Sequence, residues 1–294
     1  MSLVERALKK LQESARQGHA SAPAVAATGT HVAMPAPVAP VLRRVVPRHA
    51  PISVDRNALR AAGLIAPEHQ ERQLADQYRQ VKRPLIANAT VRGGKKVANG
   101  QLVMMASALP GEGKTFTSIN LALSLALEKD ITVLLVDADV SKRHISRIFG
   151  VEGEPGLLDA LKDDSLDLES LVIPTDIEGL QILPSGNRTD IATELLSSTH
   201  MEHTVARLGM HDPNRIVLLD SPPLLLTSES RALAASVGQV VIVVRAGHTP
   251  QQAVLDAVSH VPADKAVGFI LNQSNLHTSE GYYYGEGNQT APKA

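Results

Sequence analysis

A glycine-bearing loop followed by Lys-Thr is the part of this sequence best suited to chemistry. The spacing is Ala108-x-x-x-x-Gly113-Lys114-Thr115, with Gly111 inside the loop. It matches the P-loop pattern, except that an alanine stands where that pattern has its first glycine. In such a loop, successive backbone N–H groups and the positive end of the following helix bind phosphate. We therefore expect Lys114 to contact the β- and γ-phosphates of a nucleotide and Thr115 to join a Mg²⁺ shell.

Residues around this loop form the expected nucleotide-binding set. Asn272 closes an apolar run and is suited either to hydrogen-bond a purine edge or to cap the end of a strand. The Asn-Lys-x-Asp pattern typical of guanine binding is missing from the sequence, which favours ATP as the nucleotide. The full set is Pro110, Gly111, Glu112, Gly113, Lys114, Thr115, Phe116 and Asn272.

Aspartates after two apolar runs supply the carboxylates that a Mg²⁺-bound nucleotide needs. Asp220 fits the Walker B role, in which the carboxylate touches the cation directly or through water. Asp137 and Asp139 could bind Mg²⁺ or accept a proton from an attacking hydroxyl. Asp139 is also suited to cap a helix predicted over 141–149 while Asp137 does the chemistry. The expected sets are Lys114, Asp137 and Asp139 for catalysis, and Thr115, Asp137 and Asp220 for Mg²⁺.

Strand-length apolar runs alternate with helix-period segments around these residues. This alternation predicts an α/β fold of the P-loop NTPase kind, with a mostly parallel, twisted sheet and helices on both faces. In such sheets the ligand binds beyond the carboxyl ends of the strands, where the loop and the aspartates fall. Strands are expected from 102 and at 131–136, 180–183, 216–219, 240–244 and 267–271, and helices at 116–127, 141–149, 191–208 and 251–260.

Composition divides the chain into four parts. Residues 1–17 have the pattern of an amphipathic helix, either without a role or docking onto a partner or a membrane surface. The Ala- and Pro-rich residues 18–57 predict a flexible linker. Residues 58–275 carry the catalytic domain, and 276–294 form a polar, glycine-bearing tail that we expect to be disordered.

One further helix is expected before the core. It runs from Pro67 to Pro84, and the second proline ends or kinks it. The charged face of this helix is either solvated or a contact between subunits. The residues on that face are Asp76, Arg79, Lys82 and Arg83.

The overall composition excludes several classes of function. A net charge of −1 over 294 residues gives no general attraction to nucleic acid. The chain has no cysteine, and His200 and His203 lack a third ligand, so no transition-metal site is predicted. The apolar runs are far shorter than the ~20 residues that cross a bilayer, which predicts a soluble protein. The start of the chain lacks the pattern of a signal peptide, which favours a cytoplasmic location.

These motifs together resemble the bacterial tyrosine kinases (BY-kinases), and in particular the exosortase-associated tyrosine autokinases. The resemblance extends roughly from Arg72 to the C-terminus. It implies a P-loop core that transfers the γ-phosphate of ATP to tyrosines in the tail of a neighbouring subunit. The segments that carry it are Ser107–Thr115 as Walker A, Val133–Asp139 as the second Walker motif, Ile216–Pro223 as Walker B, and Leu183–Gly186 and Glu194–Leu196 as further landmarks.

The resemblance also assigns acceptors and partners. Of the four tyrosines in the chain, Tyr282, Tyr283 and Tyr284 stand together in the tail and become the phosphoacceptors. In this family Lys114 and Thr115 would hold phosphate and Mg²⁺. A homo-oligomer, a membrane-embedded chain-length partner at the inner membrane, and a link to exopolysaccharide synthesis or export are implied in the same way.

Two positions depart from the family pattern. Relatives often carry a basic residue where this chain has Ser141, and here Lys142 and Arg143 follow instead. The family's Glu-x-x-Arg-x-x-Arg oligomerisation helix appears here as Asp76-x-x-Arg79-x-x-Lys82, with the charge signs kept.

Other functions remain open on the same core. A partition- or septum-placement-type ATPase switch would carry a lysine five residues before the main P-loop lysine, where this chain has Leu109. A scaffold that organises partners in its ATP-bound state, through residues 1–17, would not need the complete set of P-loop and aspartate side chains. The missing lysine and the tyrosines of the tail favour the kinase over the switch, and the intact Lys114, Thr115 and strand-end aspartates argue against the scaffold.

Overall fold

Runs of Val, Ile and Leu give seven strands within residues 49–90 and 97–274, which the computed structural model describes. The strands are β1 (Leu102–Ser107), β2 (Thr132–Asp137), β3 (Ile173–Pro174), β4 (Leu180–Leu183), β5 (Arg215–Asp220), β6 (Gln239–Arg245) and β7 (Ala266–Asn272). They form one sheet in the order β3-β4-β2-β5-β1-β6-β7. Every neighbouring pair is parallel except β3 with β4.

Helices cover both faces of this sheet. They are α1 (Arg56–Ala61), α2 (Glu71–Ala89), α3 (Lys114–Ala126), α4 (His144–Ile148), α5 (Leu157–Lys162), α6 (Ala192–Leu196), α7 (Thr199–Met210), α8 (Ser228–Ser236) and α9 (Gln251–Ser259). Successive strand residues point to opposite faces. Met104 and Leu134 pack in the core under α7 and α8, whereas Met105 and Leu135 pack in the core under α2 and α3.

The predicted fold class is confirmed, and the predicted strands agree with the structure to within one or two residues. Two predicted helices differ. The segment 191–208 forms two helices, because the Ser198 side chain caps a new helix by accepting a hydrogen bond from the Met201 N–H. The helix predicted over 141–149 begins only at His144, because Arg143 has a left-handed backbone with φ of 53°. A left-handed residue interrupts an α-helix.

The helix before the core does not end at its internal proline. Pro84 lies inside α2, which continues to Ala89. A proline inside a helix removes one backbone hydrogen bond. Tyr78 on one side of it and Leu85 on the other are both buried in the core under this helix, so packing holds the segment helical past the proline.

The charged face of α2 is not uniformly solvated. Asp76 and Arg79 are exposed and form an ion pair with each other, at 2.6 Å. Lys82 is only 6% exposed. Its Nζ donates to the Ser124 carbonyl at 2.6 Å and lies 2.8 Å from a Glu128 carboxylate oxygen, at the carboxyl end of α3. The expectation that Lys82 lies on a solvated or subunit-contacting face is therefore wrong, since its charge is used within the domain.

The predicted linker over 18–57 extends too far. Residues 49–57 already pack on the edge of the sheet. The Ile52 N–H donates to the Pro174 carbonyl at 3.0 Å, and the Ile52 carbonyl accepts from the Asp176 N–H at 2.9 Å. These bonds extend the free edge of β3, which satisfies backbone groups that an edge strand leaves open.

Several predictions fall outside the described residues. They concern the amphipathic helix at 1–17, the linker before residue 49 and the tail at 276–294, and they stay predictions. In residues 49–90 and 97–274, none of the helices has both the length and the apolar character to span a membrane.

Candidate active site

The P-loop connects β1 to α3 at the carboxyl edge of the sheet. Gly111 and Gly113 have φ of 77° and 91°, a left-handed backbone that favours glycine. Gly113 caps α3, and a Cβ atom added there would lie 2.0 Å from Nδ2 of Asn272. Both glycines therefore allow the left-handed turns of the loop, and Gly113 in addition leaves room for the Asn272 side chain. Strand, loop and helix follow in the order that the motif requires.

Lys114 is the first residue of α3, directly after this loop, and is only 7% exposed. Its Nζ donates to Oγ of Ser107 at 3.0 Å. Burial lowers the pKa of Lys114, and the nearby carboxylates Asp220 and Asp139 oppose that shift. A buried ammonium group whose pKa is lowered despite nearby carboxylates attracts a further anion, and the phosphates of a nucleotide are the natural candidates.

Asp220 ends β5 directly beneath the first turns of α3. Thr115 Oγ1 donates to Oδ2 of Asp220 at 2.8 Å, and Ser118 Oγ donates to Oδ1 at 2.9 Å. Burial raises the pKa of Asp220 to about 6, and Lys114 and the two hydroxyls oppose it. The structure thus brings together the P-loop threonine and the Walker B aspartate, which were expected to share a cation.

Asp137 is the register partner of Asp220 on the adjacent strand β2, so the two side chains share one face. Its Oδ2 accepts from the backbone N–H of Ser146 at 2.7 Å and from Oγ of Ser146 at 2.6 Å. Its Oδ1 is buried and has no hydrogen-bond partner within the described ranges. Burial raises the pKa of Asp137 to about 7, against the two bonds from Ser146, with Asp220 and Asp139 adding to the rise.

The capping role expected for Asp139 belongs to Asp137. The Ser146 N–H that Asp137 accepts lies in the first turn of α4. Asp139 lies before this helix, where its carbonyl accepts from the Arg143 N–H at 2.7 Å and its Oδ1 makes only a long contact of 3.4 Å with the Lys142 N–H. Because α4 starts later than predicted, the second aspartate is too far from its first turn. The carboxylate of Asp139 is left largely available for chemistry.

Glu112 and Asn272 stabilise the P-loop through hydrogen bonds. The Glu112 carboxylate accepts from the Leu109 N–H at 2.9 Å and from the hydroxyl of Thr249. Asn272 Nδ2 donates to the Glu112 carbonyl at 2.9 Å. The side chain of Glu112 is therefore committed to the shape of the loop. Asn272 braces the loop and also lines a cavity of about 800 Å³ together with Phe116.

The donor set fits Mg²⁺. The buried Oδ1 of Asp137, which has no hydrogen-bond partner among the described residues, and the hydroxyl of Thr115 are oxygen atoms of the kind that Mg²⁺ prefers. Within the described part of the chain, no group of three or more His, Cys, Asp or Glu side chains could hold a metal ion by itself. Mg²⁺ is typically held by one or two carboxylates together with nucleotide phosphates.

The sequence missed three residues that shape this site. Ser146, Ser185 and Arg143 form a buried polar group behind Asp137. Leu183–Gly186 is one of the landmarks of the resemblance, but no local pattern pairs it with a helix that starts some forty residues earlier. The predicted acceptors Tyr282, Tyr283 and Tyr284 lie outside the described residues.

Fold and site together define a P-loop NTPase. Residues 100–262 match a family model described as an AAA domain. The chain is 31% identical to the tyrosine-protein kinase YwqD of Bacillus subtilis over 71% of this chain and 86% of that protein. It is also 31% identical to the putative tyrosine-protein kinase EpsB of Ralstonia nicotianae, over 65% of this chain but only 25% of that protein.

Solved structures agree with these relatives. The kinase domain of the Escherichia coli tyrosine kinase ETK matches 72% of this chain and 80% of its own, with a TM-score of 0.60 and 26% identity. The VpsO kinase domain matches 71% of this chain and all of its own, with a TM-score of 0.57 and 33% identity. The chain belongs to the bacterial tyrosine-protein kinase family. Apo McdA from Cyanthece, at 23% identity and a TM-score of 0.50, shares the fold alone.

Proposed function

We propose that this chain is an ATP-dependent protein-tyrosine autokinase. The observation that carries the proposal is the convergence of Lys114, Thr115, Asp137, Asp139 and Asp220 on one cleft, in a chain of the bacterial tyrosine kinase family. Phosphoryl transfer requires mainly positioning and charge stabilisation. This cleft supplies a buried cation, oxygen ligands and a carboxylate with few partners.

We assign a different role in phosphoryl transfer to each residue of the cleft. Bound Mg²⁺ would neutralise charge on the phosphates, with Thr115 and Asp137 as its protein ligands. Lys114 stabilises the negative charge that develops on the γ-phosphate oxygens. Asp139 is proposed to accept the proton of an attacking tyrosine hydroxyl, a role supported by its carboxylate making only one long hydrogen bond among the described residues. The phenolic oxygen bonds to the γ-phosphorus as the bond to the leaving ADP breaks.

The nucleoside would occupy the cavity beside the loop. Its volume of about 800 Å³ lies within the usual range for small-ligand pockets. Phe116 offers an apolar surface to a base. Asn272 also lines the cavity, and its side-chain amide donates to the Glu112 carbonyl in the loop. We assign the base contact predicted for Asn272 to this cavity.

Membership of the family supports a proposal for the acceptors and partners. We assign Tyr282, Tyr283 and Tyr284 as acceptors, phosphorylated by a neighbouring copy within a homo-oligomer. A membrane-embedded chain-length partner and a role in exopolysaccharide synthesis or export, at the cytoplasmic side of the inner membrane, complete the proposal. The exosortase-associated subtype is part of the same proposal.

Mapping of phosphate by mass spectrometry tests the function. The purified protein is incubated with Mg²⁺ and ATP, beside Lys114→Met and a Tyr282/Tyr283/Tyr284→Phe triple variant. We expect phosphotyrosine in the tail of the unmodified protein and none in either variant, while the triple variant still turns over ATP. ATP turnover without phosphotyrosine anywhere, even with the cytoplasmic segment of the membrane partner added, would favour the ATPase switch and overturn the kinase.

A further inference from the structure

A chain of buried hydrogen bonds lies behind Asp137, on the side away from the P-loop. Oγ of Ser146 donates to Oδ2 of Asp137 at 2.6 Å and accepts from the backbone N–H of Ser185 at 3.0 Å. The two serine hydroxyl oxygens are 3.2 Å apart. Nε of Arg143 donates to Oγ of Ser185 at 2.8 Å. Both serines are fully buried, so the aspartate is connected through them to the loop after β4.

The arginine at the far end of this chain is itself fixed. Arg143 is only 6% exposed, and its Nη2 donates to the carbonyls of Gly186, at 2.7 Å, and Glu152. The left-handed backbone of Arg143 directs it into this position, at the point where α4 begins. A guanidinium with several fixed acceptors makes a rigid anchor, because its donors form a planar fork.

The loop that carries Ser185 is fixed as well. Asp159 accepts from the backbone N–H groups of Gly156 and Asn187, both at 2.9 Å. A Cβ atom on Gly156 would lie 2.1 Å from the Pro184 carbonyl, so the two segments touch at backbone level. Ser185 therefore cannot follow Ser146 if the latter moves.

This arrangement determines how the Asp137 carboxylate is oriented. The backbone N–H and the hydroxyl of Ser146 both bond to Oδ2, which stops the carboxylate from rotating. Within residues 49–90 and 97–274, Oδ1 is then left without a hydrogen bond, and Asp137 shares its face of the sheet with Asp220. An unpaired carboxylate oxygen in a buried site is costly unless a ligand completes it.

We propose that Ser146 and Ser185 are positioning residues, which hold the Asp137 carboxylate so that Oδ1 alone faces the divalent cation of a bound nucleotide. The inference rests on the proposed function only for the presence of a Mg²⁺-nucleotide in the cleft. Neither serine contacts the nucleotide. Their effect is exerted through Asp137, as outer contacts of a metal site orient its ligands.

Direct binding measurements test this role without reference to kinase activity. The affinity for a fluorescent ATP analogue is measured with Mg²⁺ and with EDTA for the unmodified protein, Ser146→Ala and Ser185→Ala. We expect Ser146→Ala to reduce the Mg²⁺-dependent gain in affinity by about tenfold or more, while the affinity in EDTA stays within about twofold. Ser185→Ala has a smaller effect, because its backbone N–H still donates to Ser146.

Two further variants separate positioning from general stability. Ser146→Thr keeps the hydroxyl and restores most of the Mg²⁺-dependent gain. Thr175→Val removes another buried hydroxyl, which bonds to the Leu180 carbonyl at 2.9 Å near the edge of the sheet, and leaves the gain unchanged. If Ser146→Ala does not fold, Ser146→Cys, which keeps the volume but is a weak donor, takes its place in the comparison.

The inference is overturned if Ser146→Ala keeps the full Mg²⁺-dependent gain, or if it weakens nucleotide binding equally with Mg²⁺ and with EDTA. The second result would mean that Ser146 only supports the fold. Because binding alone is measured, a protein that forms no phosphotyrosine can still show the predicted Mg²⁺ effect. In that case the proposed kinase function fails and the positioning role stands.

Discussion

Two aspartates sit side by side in the cleft, and their surroundings differ. Asp220 has both carboxylate oxygens bonded to hydroxyls of α3, those of Thr115 and Ser118. Oδ2 of Asp137 accepts two hydrogen bonds from Ser146, one from its backbone N–H and one from its hydroxyl. Oδ1 of Asp137 has no hydrogen-bond partner among the described residues. The two aspartates are register partners on adjacent strands, but the hydrogen bonds to their carboxylates differ.

The difference indicates how each aspartate serves a cation. The Thr115 hydroxyl turns its hydrogen toward Asp220, so its lone pairs remain for a metal ion. In the proposed site, Asp220 would therefore act on the cation mainly through Thr115. Asp137 instead offers Oδ1 directly, because its other oxygen is already committed. One side of the site is coupled to the P-loop helix, and the other is braced independently of it.

The largest effect is expected from Lys114→Met, which removes the buried positive charge beside Asp220 and Asp139. Phosphoryl transfer should fall by about 100-fold or more, as it does when a donor to developing charge is lost. The thermal midpoint should not fall, because burial lowers the pKa of Lys114 and the charged form is costly there. Quantitative phosphotyrosine detection and calorimetry check the two statements. Residual transfer above one tenth would contradict the assigned role.

Thr115→Val and Ser118→Ala sharpen the comparison, since each removes one hydroxyl from Asp220. Only Thr115 is placed to reach a cation as well. We expect Thr115→Val to weaken Mg²⁺-dependent nucleotide binding by about tenfold or more. Ser118→Ala should weaken it by no more than about threefold, the low end of the net contribution of one hydrogen bond, because Ser118 bonds to Asp220 without being a proposed ligand of the cation. Titration calorimetry with and without Mg²⁺ measures both, and equal losses would show that Asp220 does not act through Thr115.

The pH dependence of stability tests the environment shared by the two aspartates. Their pKa values, about 7 for Asp137 and about 6 for Asp220, lie above the ordinary 3.8, with Asp139 facing both and Lys114 facing Asp220. The stability that comes from their protonated forms is complete below about pH 4 and is lost as the pH rises through 6 and 7. In metal-free buffer the thermal midpoint should therefore fall between pH 5 and about pH 8, and Asp137→Asn should flatten this fall. A flat profile in the unmodified protein would refute the raised pKa values.

The smallest effect is expected at the far end of α3, where Lys82 bonds to Ser124 and Glu128. Lys82→Met should lower the free energy of unfolding by about 1–3 kcal/mol, because it removes the donor to the carbonyl of the buried Ser124 and the ion pair with Glu128. Arg79→Ala, on the same helix but exposed, should change it by no more than about 0.5 kcal/mol. Urea denaturation measures both. If the two variants lose equal stability, Lys82 does not anchor α3.

Much of this site follows from the sequence for a simple physical reason. The P-loop follows β1, and Asp137 and Asp220 are the last residues of β2 and β5. Because parallel strands bring their carboxyl ends to one edge of the sheet, local sequence patterns suffice to predict that these groups lie together. The bracing of Asp137 depends on the left-handed backbone of Arg143 and on a loop about forty residues away, which no local pattern encodes. The burial of Lys82 was missed because a lysine on a polar helix face is usually solvated, although its long stem can cross apolar surface.

Mixing two inactive variants tests most directly whether this cleft phosphorylates the tail of another copy of the chain, as we propose. An isotope-labelled Lys114→Met chain, which keeps its tyrosines, is mixed with an unlabelled Tyr282/Tyr283/Tyr284→Phe chain, which keeps its cleft, and both receive Mg²⁺ and ATP. We expect phosphotyrosine on the labelled tail peptide in the mixture and none in either chain alone. If the labelled tail carries no phosphotyrosine under conditions in which the unmodified protein phosphorylates itself, phosphorylation between copies is ruled out.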